Sequence, residues 1–442
     1  MEARAAAMLR VSGNGRFLTH ENGEPFFFLA DTGWTLLQRL DRDETDRYLR
    51  DRVSKGFTAI QVMGISEFDG LTVPNRYGNV PLHDLDPTRP SESYFRHVDY
   101  VVVRAAELGL WIALLPTWGD KVGPRQWGTE PQVFTPESAR VYGRFLGSRY
   151  RDAAVIWVLG GDRNPVDEAH FATWRALAGG LRDGDGGTHL MTFHPQGGAS
   201  SSQFFHEDPW LDFNMLQSGH AAWNTPNYEA IAADYCRAPA KPCLDGEPCY
   251  EDHPVNWKPE HGYFGAWDAR KAAYWALFAG AHGHTYGANG VFQFWSPGMP
   301  DRFGVRRPWT EAISLPGSTQ MQHARRLLES RPFLTRIPDQ SLLVSDPGAG
   351  AEHVQVCRGE DGGYVLAYSA SGLPFRLDPS GLPADRYIAH WYDPRTGSAT
   401  AAGEVWGRAT VDFAAPSSGP DQDWVLVLDD VSRGFGVPGE GT

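Results

Sequence analysis

The sequence predicts an α/β protein, a (β/α)₈ barrel followed by a small C-terminal antiparallel β-sandwich. Three observations support this. Eight short apolar runs lie between residues 26 and 295, helix-like stretches separate most of them, and the pattern changes after Arg331. Continuously apolar runs are typical of parallel strands buried on both faces, and eight strand–helix units are the number of a closed barrel. We therefore expect a barrel over residues 1–332 and a β-domain over residues 333–442.

The eight predicted strands share an apolar body and an ending in Gly, Pro, Asp, His or Trp. In chain order they are FFFLADTGW from Phe26, FTAIQVMGI from Phe57, LWIALLPTW from Leu110, AAVIWVLGGD from Ala153, HLMTFHP from His189, FNMLQSGH from Phe213, KPCLDGEP from Lys241 and GVFQFWSPG from Gly290. No dinucleotide-binding glycine fingerprint opens the first unit, which weighs against a Rossmann fold.

Helical periodicity predicts helices between these strands, at residues 43–55, 94–108, 135–150 and 267–281. The third opens with Thr135-Pro136, a capping residue followed by a first-turn proline. A further helix over residues 320–330 is expected to close the barrel.

Beyond Arg331, prolines interrupt helix and five segments alternate in polarity with turns between them: SLLVSD, HVQVCRG, YVLAYSA, IAHWYDP and WVLVLDD. Short alternating strands at roughly ten-residue spacing indicate an antiparallel sandwich. We interpret residues 393–397 as a hairpin turn. The sequence leaves open whether this domain braces the barrel or mediates self-association into a homo-oligomer.

The composition narrows the class of partner. With 40 Lys and Arg against 54 Asp and Glu, the net charge of −14 disfavours nucleic acid and anionic membranes. The 16 Trp and 16 Tyr exceed what core packing needs, and their flat faces suit sugar rings. No secretory segment or membrane span is evident, so we expect a cytoplasmic protein that binds an oligosaccharide or small glycoside.

In a barrel of this type, function resides at the carboxyl ends of the strands. The polar and aromatic side chains that follow the predicted strands are therefore candidates for substrate binding. They are Asp31, Trp34, Trp118, His194, Gln217, His220, Tyr286 and Trp295.

Two carboxylates at these strand ends are candidates for catalysis: Asp162 after the fourth strand and Glu247 after the seventh. A pair of carboxyl groups is what glycosidic cleavage needs, because one protonates the leaving oxygen while the other attacks or stabilises the anomeric carbon. A separation of about 5 to 5.5 Å would imply retention of configuration, and about 6.5 to 9.5 Å inversion. The alternatives are that Asp162 caps a helix, that Glu247 forms an ion pair, and that Glu251 replaces Glu247.

These residues also carry a family resemblance. FFFLADTGWTLL, FTAIQVMGI, VIWVLGGDRNP, LQSGHA and LDGEPCYE together resemble the apiosidase-like glycoside hydrolases of family 140, over roughly residues 10 to 330. The C-terminal part is similar to the collagen-binding-type β-domain that often follows this barrel.

The resemblance implies a retaining glycosidase with Asp162 as acid/base and Glu247 as nucleophile. It further implies a furanoside substrate, apiose-like or arabinofuranose-like, or a related small plant or bacterial glycoside. We expect no cofactor and no metal. Two other readings stay open: a non-catalytic carbohydrate-binding barrel, and a metal-dependent hydrolase on the same fold.

Overall fold

The amino-terminal end of the barrel is closed by a small antiparallel sheet. The protein was analysed as a computed structural model, which describes residues 8–67, 69–123, 126–127 and 130–440. The sheet contains β1 (Leu9–Val11), β2 (Leu18–His20) and β3 (Pro25–Phe26). The Phe26 ring contacts Trp111, at the start of a barrel strand, with ring centroids 6.0 Å apart. The sheet therefore buries the apolar bottom of the barrel.

Eight parallel strands form the barrel wall. Strands that follow one another in the chain pair side by side, except the fifth and the sixth, and the first pairs with the last. They are β4 (Phe28–Thr32), β5 (Ala59–Met63), β6 (Trp111–Leu115), β7 (Val155–Gly160), β8 (Met191–His194), β9 (Asn214–Leu216), β10 (Cys243–Asp245) and β11 (Gly283–Tyr286). Between β8 and β9 the link is made by the Thr192 hydroxyl, which donates to the Phe213 carbonyl at 2.7 Å. The predicted barrel fold is confirmed.

Helices surround the wall, and the predicted helices are all present with ends shifted by a few residues. The helices of the described chain are α1 (Leu36–Arg39), α2 (Arg42–Ser54), α3 (Glu92–Glu107), α4 (Pro136–Arg149), α5 (Glu168–Asp185), α6 (Ser202–Phe205), α7 (Asn227–Tyr235), α8 (Ala266–Phe278), α9 (Asn289–Phe292), α10 (Trp309–Ala312) and α11 (Pro316–Glu329). The Thr135 side chain caps α4 as expected. Within the described residues, no helix is both long and apolar enough to cross a membrane.

The eighth strand lies elsewhere than predicted. The apolar run from Gly290 forms the short helix α9 and the turn after it, whereas β11 comes from the segment before it. β11 has the sequence Gly-His-Thr-Tyr, with the polar residues His284 and Thr285 at its centre. It therefore lacks the apolar run that marks the other strands. A short apolar run cannot be distinguished from a buried helical turn by periodicity alone, and here the helical turn was mistaken for the strand.

Side chains of the barrel strands alternate between two apolar layers. Phe28 and Ala30 of β4 belong to the cluster inside the barrel, whereas Leu29 belongs to the cluster between the wall and the helices. Since successive strand residues point to opposite faces, Asp31 points with Leu29 toward the helix layer. This parity decides which strand-end residues reach the barrel mouth.

The C-terminal domain is an antiparallel sandwich of a six-stranded and a two-stranded sheet, as predicted. Its strands are β12 (Arg336–Pro338), β13 (Val354–Gly359), β14 (Tyr364–Ser369), β15 (Phe375–Leu377), β16 (Arg386–Tyr392), β17 (Ala399–Trp406), β18 (Val411–Phe413) and β19 (Trp424–Asp430). Four of the five predicted segments are strands, and the hairpin turn joins β16 to β17. The exception is SLLVSD, which begins as a 3₁₀ turn.

The sandwich is docked on the barrel through α8. Tyr274 of α8 stacks on Tyr368 of β14 with ring centroids 4.8 Å apart. Beside this stack, the buried Arg270 guanidinium donates to both carboxylate oxygens of Asp423 at 2.9 and 2.8 Å. Apolar residues of β14 and β19 belong to the same cluster as the outer layer of the barrel. One core therefore runs through both parts of the molecule.

Candidate active site

A cavity of about 790 Å³ opens at the carboxyl ends of the barrel strands. It contains both predicted catalytic carboxyls and four of the predicted substrate-binding side chains. These six residues are Trp34, Trp118, Asp162, Gln217, His220 and Glu247. Side chains that are scattered over more than 200 positions of the sequence thus meet in one site, as expected for strand ends of a barrel.

Asp162 is presented to the cavity by a sharply bent segment after β7. Gly160, Gly161 and Asp162 all have positive φ, at 89°, 114° and 51°. A Cβ at Gly161 would lie 2.6 Å from the Trp118 ring, so glycine is required there both for its φ and for the close approach. A positive φ at Asp162 stores strain of the kind found at functional sites. The helix-capping alternative fails, because the residue that caps α5 is Asp167.

The surroundings of Asp162 favour its protonated form. Burial, and after it the negative charges of Glu247 and Glu67, raise the pKa of Asp162 well above its usual range. The neighbouring Arg163 and a hydrogen bond with Gln217 oppose this shift without cancelling it. Asp162 is therefore poised to donate a proton.

Glu247 follows β10 and lies between two histidines. His220 Nε2 is 3.0 Å from Glu247 Oε1, and His194 Nε2 is 3.2 Å from Glu247 Oε2. Burial opposes ionisation, but the two imidazoles outweigh it and hold the pKa of Glu247 below its ordinary value. Glu247 is therefore a carboxylate at neutral pH, and the basic side chains that it contacts are these two histidines.

The tautomer of His220 follows from its second contact. The Tyr250 backbone N–H donates to His220 Nδ1 at 3.3 Å, so in the neutral ring the proton is on Nε2, which faces Glu247. His220 thus donates to the carboxylate and orients it.

The loops that carry these groups are tied together below the cavity. The buried Asp245, two residues before Glu247, accepts hydrogen bonds from the Ser218 hydroxyl at 2.6 Å and from Asn227 Nδ2 at 3.0 Å. The Gly219 N–H donates to the Glu247 carbonyl at 2.9 Å. The segment with Gln217 and His220 is therefore held in register with the segment that carries Glu247.

Asp162, His194 and Glu247 are also the residues of the described chain that could hold a cation together. Each offers one ligand atom, and these atoms lie within 4.8 Å of one another. The same proximity places the two carboxyl groups close to a common point above the cavity floor. The metal-dependent reading thus has a defined location and needs an experiment of its own.

Glu67 is a third carboxyl in the cavity that the sequence analysis did not identify. Its Oε1 accepts a hydrogen bond from Trp127 Nε1 at 2.8 Å, and Arg163 Nη2 lies 3.5 Å away. Burial raises the pKa of Glu67, and the charge of Glu247 raises it further, against the influence of Arg163. Its position four residues after the end of β5, at the same end of the barrel as the other candidates, is the signal in the sequence that could have identified it.

Four predicted substrate-binding residues lie outside the cavity lining. His194 is fully buried beneath it, against Trp34, Trp118 and Glu247. The sequence predicts His194 as a substrate-binding residue, whereas the structure places it against Glu247 beneath the lining of the cavity.

Asp31 and Tyr286 point away from the barrel mouth, into the helix layer. Asp31 accepts a hydrogen bond from Tyr48 at 2.5 Å and pairs with Arg52 of α2 at 3.3 Å. Tyr286 is register-paired with Asp31 and donates to Glu251 at 2.6 Å. Strand parity gives the reason, since both side chains lie on the outer face of the wall.

Trp295 also lies away from the cavity. It follows α9 rather than a strand, and its backbone N–H bonds to Gly290 while its carbonyl accepts from Trp309 at 2.8 Å. The misplaced eighth strand explains this error.

Glu251 does not compete with Glu247. Its carboxyl is buried against Tyr286 and the start of α11, where burial raises its pKa to about 7. It does not contribute to the cavity lining.

The cavity wall is more aromatic than the sequence analysis anticipated. The further aromatic lining residues are Trp127, Trp223, Tyr250, His253, Trp257, Phe292 and Phe303. Most come from long loops whose position relative to the strands cannot be read from local periodicity. Of these residues, Tyr250 could have been predicted from the sequence, because it follows Glu247 by three residues. Its hydroxyl accepts a hydrogen bond from Trp34 Nε1 at 3.0 Å.

Comparisons with known proteins identify the family and the fold. The family model of the apiosidase-like catalytic domain matches residues 12–335, and the model of a domain named for collagen binding in a collagenase matches residues 337–429. A solved glycoside hydrolase is 34% identical with a TM-score of 0.88, covering 96% of this chain and 97% of its own. A glycoside hydrolase family 5 structure from Bacteroides vulgatus ATCC 8482 is 33% identical with a TM-score of 0.89, covering 97% and 94%. No curated protein matches the chain.

Proposed function

The chain belongs to the apiosidase-like glycoside hydrolases, and from that premise we propose that it is a retaining glycosidase that cleaves a furanoside through Asp162 and Glu247. The observation that carries the proposal is the opposite tuning of the two carboxyls in one cavity. The pKa of Asp162 is raised and that of Glu247 is lowered, so one is an acid and the other a carboxylate at the same pH.

The distance between the groups supports retention. A ligand oxygen of Asp162 and one of Glu247 lie within 4.8 Å of each other. Retaining enzymes hold their two carboxyls at about 5 to 5.5 Å, whereas inverting enzymes leave about 6.5 to 9.5 Å for a water molecule.

In the first step, a Glu247 oxygen attacks the anomeric carbon, and the bond from that carbon to the glycosidic oxygen breaks. Asp162 gives its proton to this oxygen, so the leaving group departs as a neutral alcohol. The His220 and His194 contacts hold the Glu247 carboxylate in place until the glycosyl–enzyme ester forms.

In the second step, the Asp162 carboxylate removes a proton from water, and the resulting oxygen attacks the anomeric carbon. The ester bond breaks, Glu247 returns as a carboxylate and Asp162 regains its proton. Two inversions at one carbon give net retention.

The furanoside preference, apiose-like or arabinofuranose-like, is taken from the family resemblance. The lining of the cavity supports a sugar substrate, because it combines polar groups with an aromatic wall that fits the apolar face of a sugar ring.

The test is hydrolysis of an aryl-glycoside panel that contains β-D-apiofuranoside, α-L-arabinofuranoside, galactofuranoside and common pyranosides. We expect a furanoside to be cleaved by the wild type, and the Glu247→Ala variant to lose at least about 10³-fold in kcat because the covalent step is removed. Sodium azide should restore cleavage by that variant and yield a glycosyl azide of inverted configuration.

Glu251→Gln is the matched control, since it neutralises a buried carboxyl of the same segment outside the cavity. It should retain turnover. Undiminished hydrolysis by Glu247→Ala would contradict the proposal, and loss of wild-type activity in a chelator would favour the metal-dependent reading. Sugar binding without cleavage across the panel would favour the non-catalytic barrel.

A further inference from the structure

Two exposed tryptophans stand at the mouth of the cavity, on loops that the proposed mechanism does not use. Trp223, after β9, is 44% exposed, and Trp257, after β10, is 48% exposed. Both contribute to the cavity lining. Large indoles that are partly exposed at the rim of a binding cavity offer flat apolar faces that a ring of the ligand can cover.

The loop that carries Trp257 is held in a strained backbone conformation. Asn256 and Trp257 have φ of 53° and 57°, in the left-handed region that a bulky side chain such as Trp rarely adopts. The Asn256 N–H donates to the His220 carbonyl at 2.7 Å, which anchors the turn to the segment beside the nucleophile. Strain that is kept at a site rim indicates that the position of the side chain matters.

Trp223 lies against the same loop. Its ring makes an edge contact with Phe264 at 5.1 Å between centroids. A Cβ at Gly262, which has φ of 88°, would lie 3.2 Å from Trp223 Cζ2, so the absence of a side chain at Gly262 leaves room for the indole. The two tryptophans are therefore neighbours on one side of the mouth, and we call Trp223 and Trp257 the rim pair.

The rim pair is next to the reaction centre but separate from it. The Trp257 ring meets the His220 ring edge-on at 6.0 Å, and His220 contacts Glu247. A ring that lies on Trp257 is thus adjacent to a ring held at Glu247. The cavity of about 790 Å³ is larger than a single sugar ring requires.

We propose that the rim pair forms a second sugar-ring subsite, so that the substrate is an oligosaccharide in which at least two rings are bound, one at the carboxyls and the next against Trp257 and Trp223. This inference rests on the proposed glycosidase function and specifies its substrate class. The indole faces bind the apolar face of the second ring, and they contribute to affinity for longer substrates without taking part in bond cleavage.

The test compares one-ring and multi-ring probes. Binding is measured by calorimetry in a Glu247→Gln background, with a panel of pectic, arabinan and galactan oligosaccharides of increasing length and their monosaccharides. We expect Trp257→Ala and Trp223→Ala to weaken oligosaccharide binding at least about tenfold, because each removes an aromatic face that the second ring would cover. Trp257→Phe should recover part of the loss, because it restores a flat face.

Trp406→Ala is the matched control, since Trp406 is an exposed tryptophan on the β-domain, 61% exposed, that does not line the cavity. It should bind like the parent protein. In the Glu247-intact protein, kcat/KM for an oligosaccharide should fall several-fold more in the rim variants than kcat/KM for a one-ring methyl furanoside.

The outcomes separate this inference from the function. Equal losses for the methyl furanoside and the oligosaccharide would assign the rim pair to the first sugar and overturn the proposal. Unchanged oligosaccharide binding in both variants, or no binding of any oligosaccharide, would overturn it as well. Binding that depends on the rim pair, in a protein that cleaves nothing, would uphold the subsite and refute the glycosidase.

Discussion

At the scale of single residues, Asp162 and Glu247 lie in one cavity, yet their neighbours move the two pKa values in opposite directions. Two imidazoles hold Glu247 ionised, whereas burial and two nearby carboxyls keep Asp162 protonated. Glu67 is one of those carboxyls, and its place beside Asp162 was not predicted from the sequence. Its charge gives it a positioning role in the proposed reaction, through Asp162 rather than through the substrate.

The Glu67→Gln variant tests that role. Removing the negative charge lowers the pKa of Asp162, because the Asp162 anion then meets less repulsion. The alkaline limb of the kcat/KM profile, along which Asp162 loses its proton, should therefore move to lower pH. The measurement is a pH series on the active aryl furanoside. An alkaline limb that stays at the wild-type pH would refute the coupling, and a lower rate without a shifted limb would indicate a merely structural role.

At the scale of elements, strand parity decides whether a polar residue at a strand end is functional or structural. Asp31 of β4 points outward and joins the barrel wall to α2 through an ion pair with Arg52. Both side chains of this pair are fully buried. Burial raises the pKa of Asp31, and the Arg52 charge opposes that shift. This contact stabilises the fold, whereas the sequence predicts that Asp31 binds substrate.

Arg52→Met should therefore unfold more easily without a change in the chemistry. It leaves the Asp31 carboxyl buried beside an apolar chain, at a cost of about 3 to 5 kcal/mol in the free energy of unfolding. Urea denaturation near pH 7 measures this loss, and kcat of the folded fraction should stay near wild type.

Arg50→Met, on the exposed face of the same helix, is the control and should cost at most about 1 kcal/mol. Adding Asp31→Asn to Arg52→Met should recover part of the stability. Equal stability of the two single variants would show that the buried pair does not anchor α2.

At the scale of the whole molecule, the C-terminal sandwich is part of the folded unit rather than an appended module. The stack of Tyr274 on Tyr368 and the double hydrogen bond between Arg270 and Asp423 lie inside one continuous apolar core. Residues of both parts belong to one buried apolar cluster, so the two parts are packed against each other as one core. The bracing role that the sequence left open therefore has direct structural support.

We expect the wild-type protein to unfold in a single calorimetric transition, and Arg270→Met to lower its midpoint. The variant leaves the fully buried Asp423 carboxylate without its cation, at a cost of about 3 to 5 kcal/mol. Arg376→Met removes an exposed ion pair within the sandwich and should leave the midpoint nearly unchanged. Two separate transitions in the wild type would contradict the continuous core.

Much of the fold was accessible from the sequence, because periodicity and capping are local. Interactions between neighbouring residues define both the apolar runs that form β4 to β10 and the Thr-Pro start of α4. Their patterns are therefore recognisable in the sequence. β11 was missed for the same reason, since its polar residues are buried only by distant partners. Asp162 and Glu247 were found because each directly follows a recognisable strand.

Local patterns along the chain were therefore enough to predict the barrel, the sandwich that follows it and the two carboxyls at the ends of β7 and β10. The folded structure was needed to show in which direction each of these two pKa values is shifted, that Glu67 lies beside the pair, that Asp31 and Tyr286 face the helices, and that Trp223 and Trp257 both line the cavity. These two sets of features depend on interactions of different range along the chain. Secondary structure follows from interactions within a few residues, whereas pKa values, cavities and strand parity at a shared rim arise from groups brought together across the whole chain.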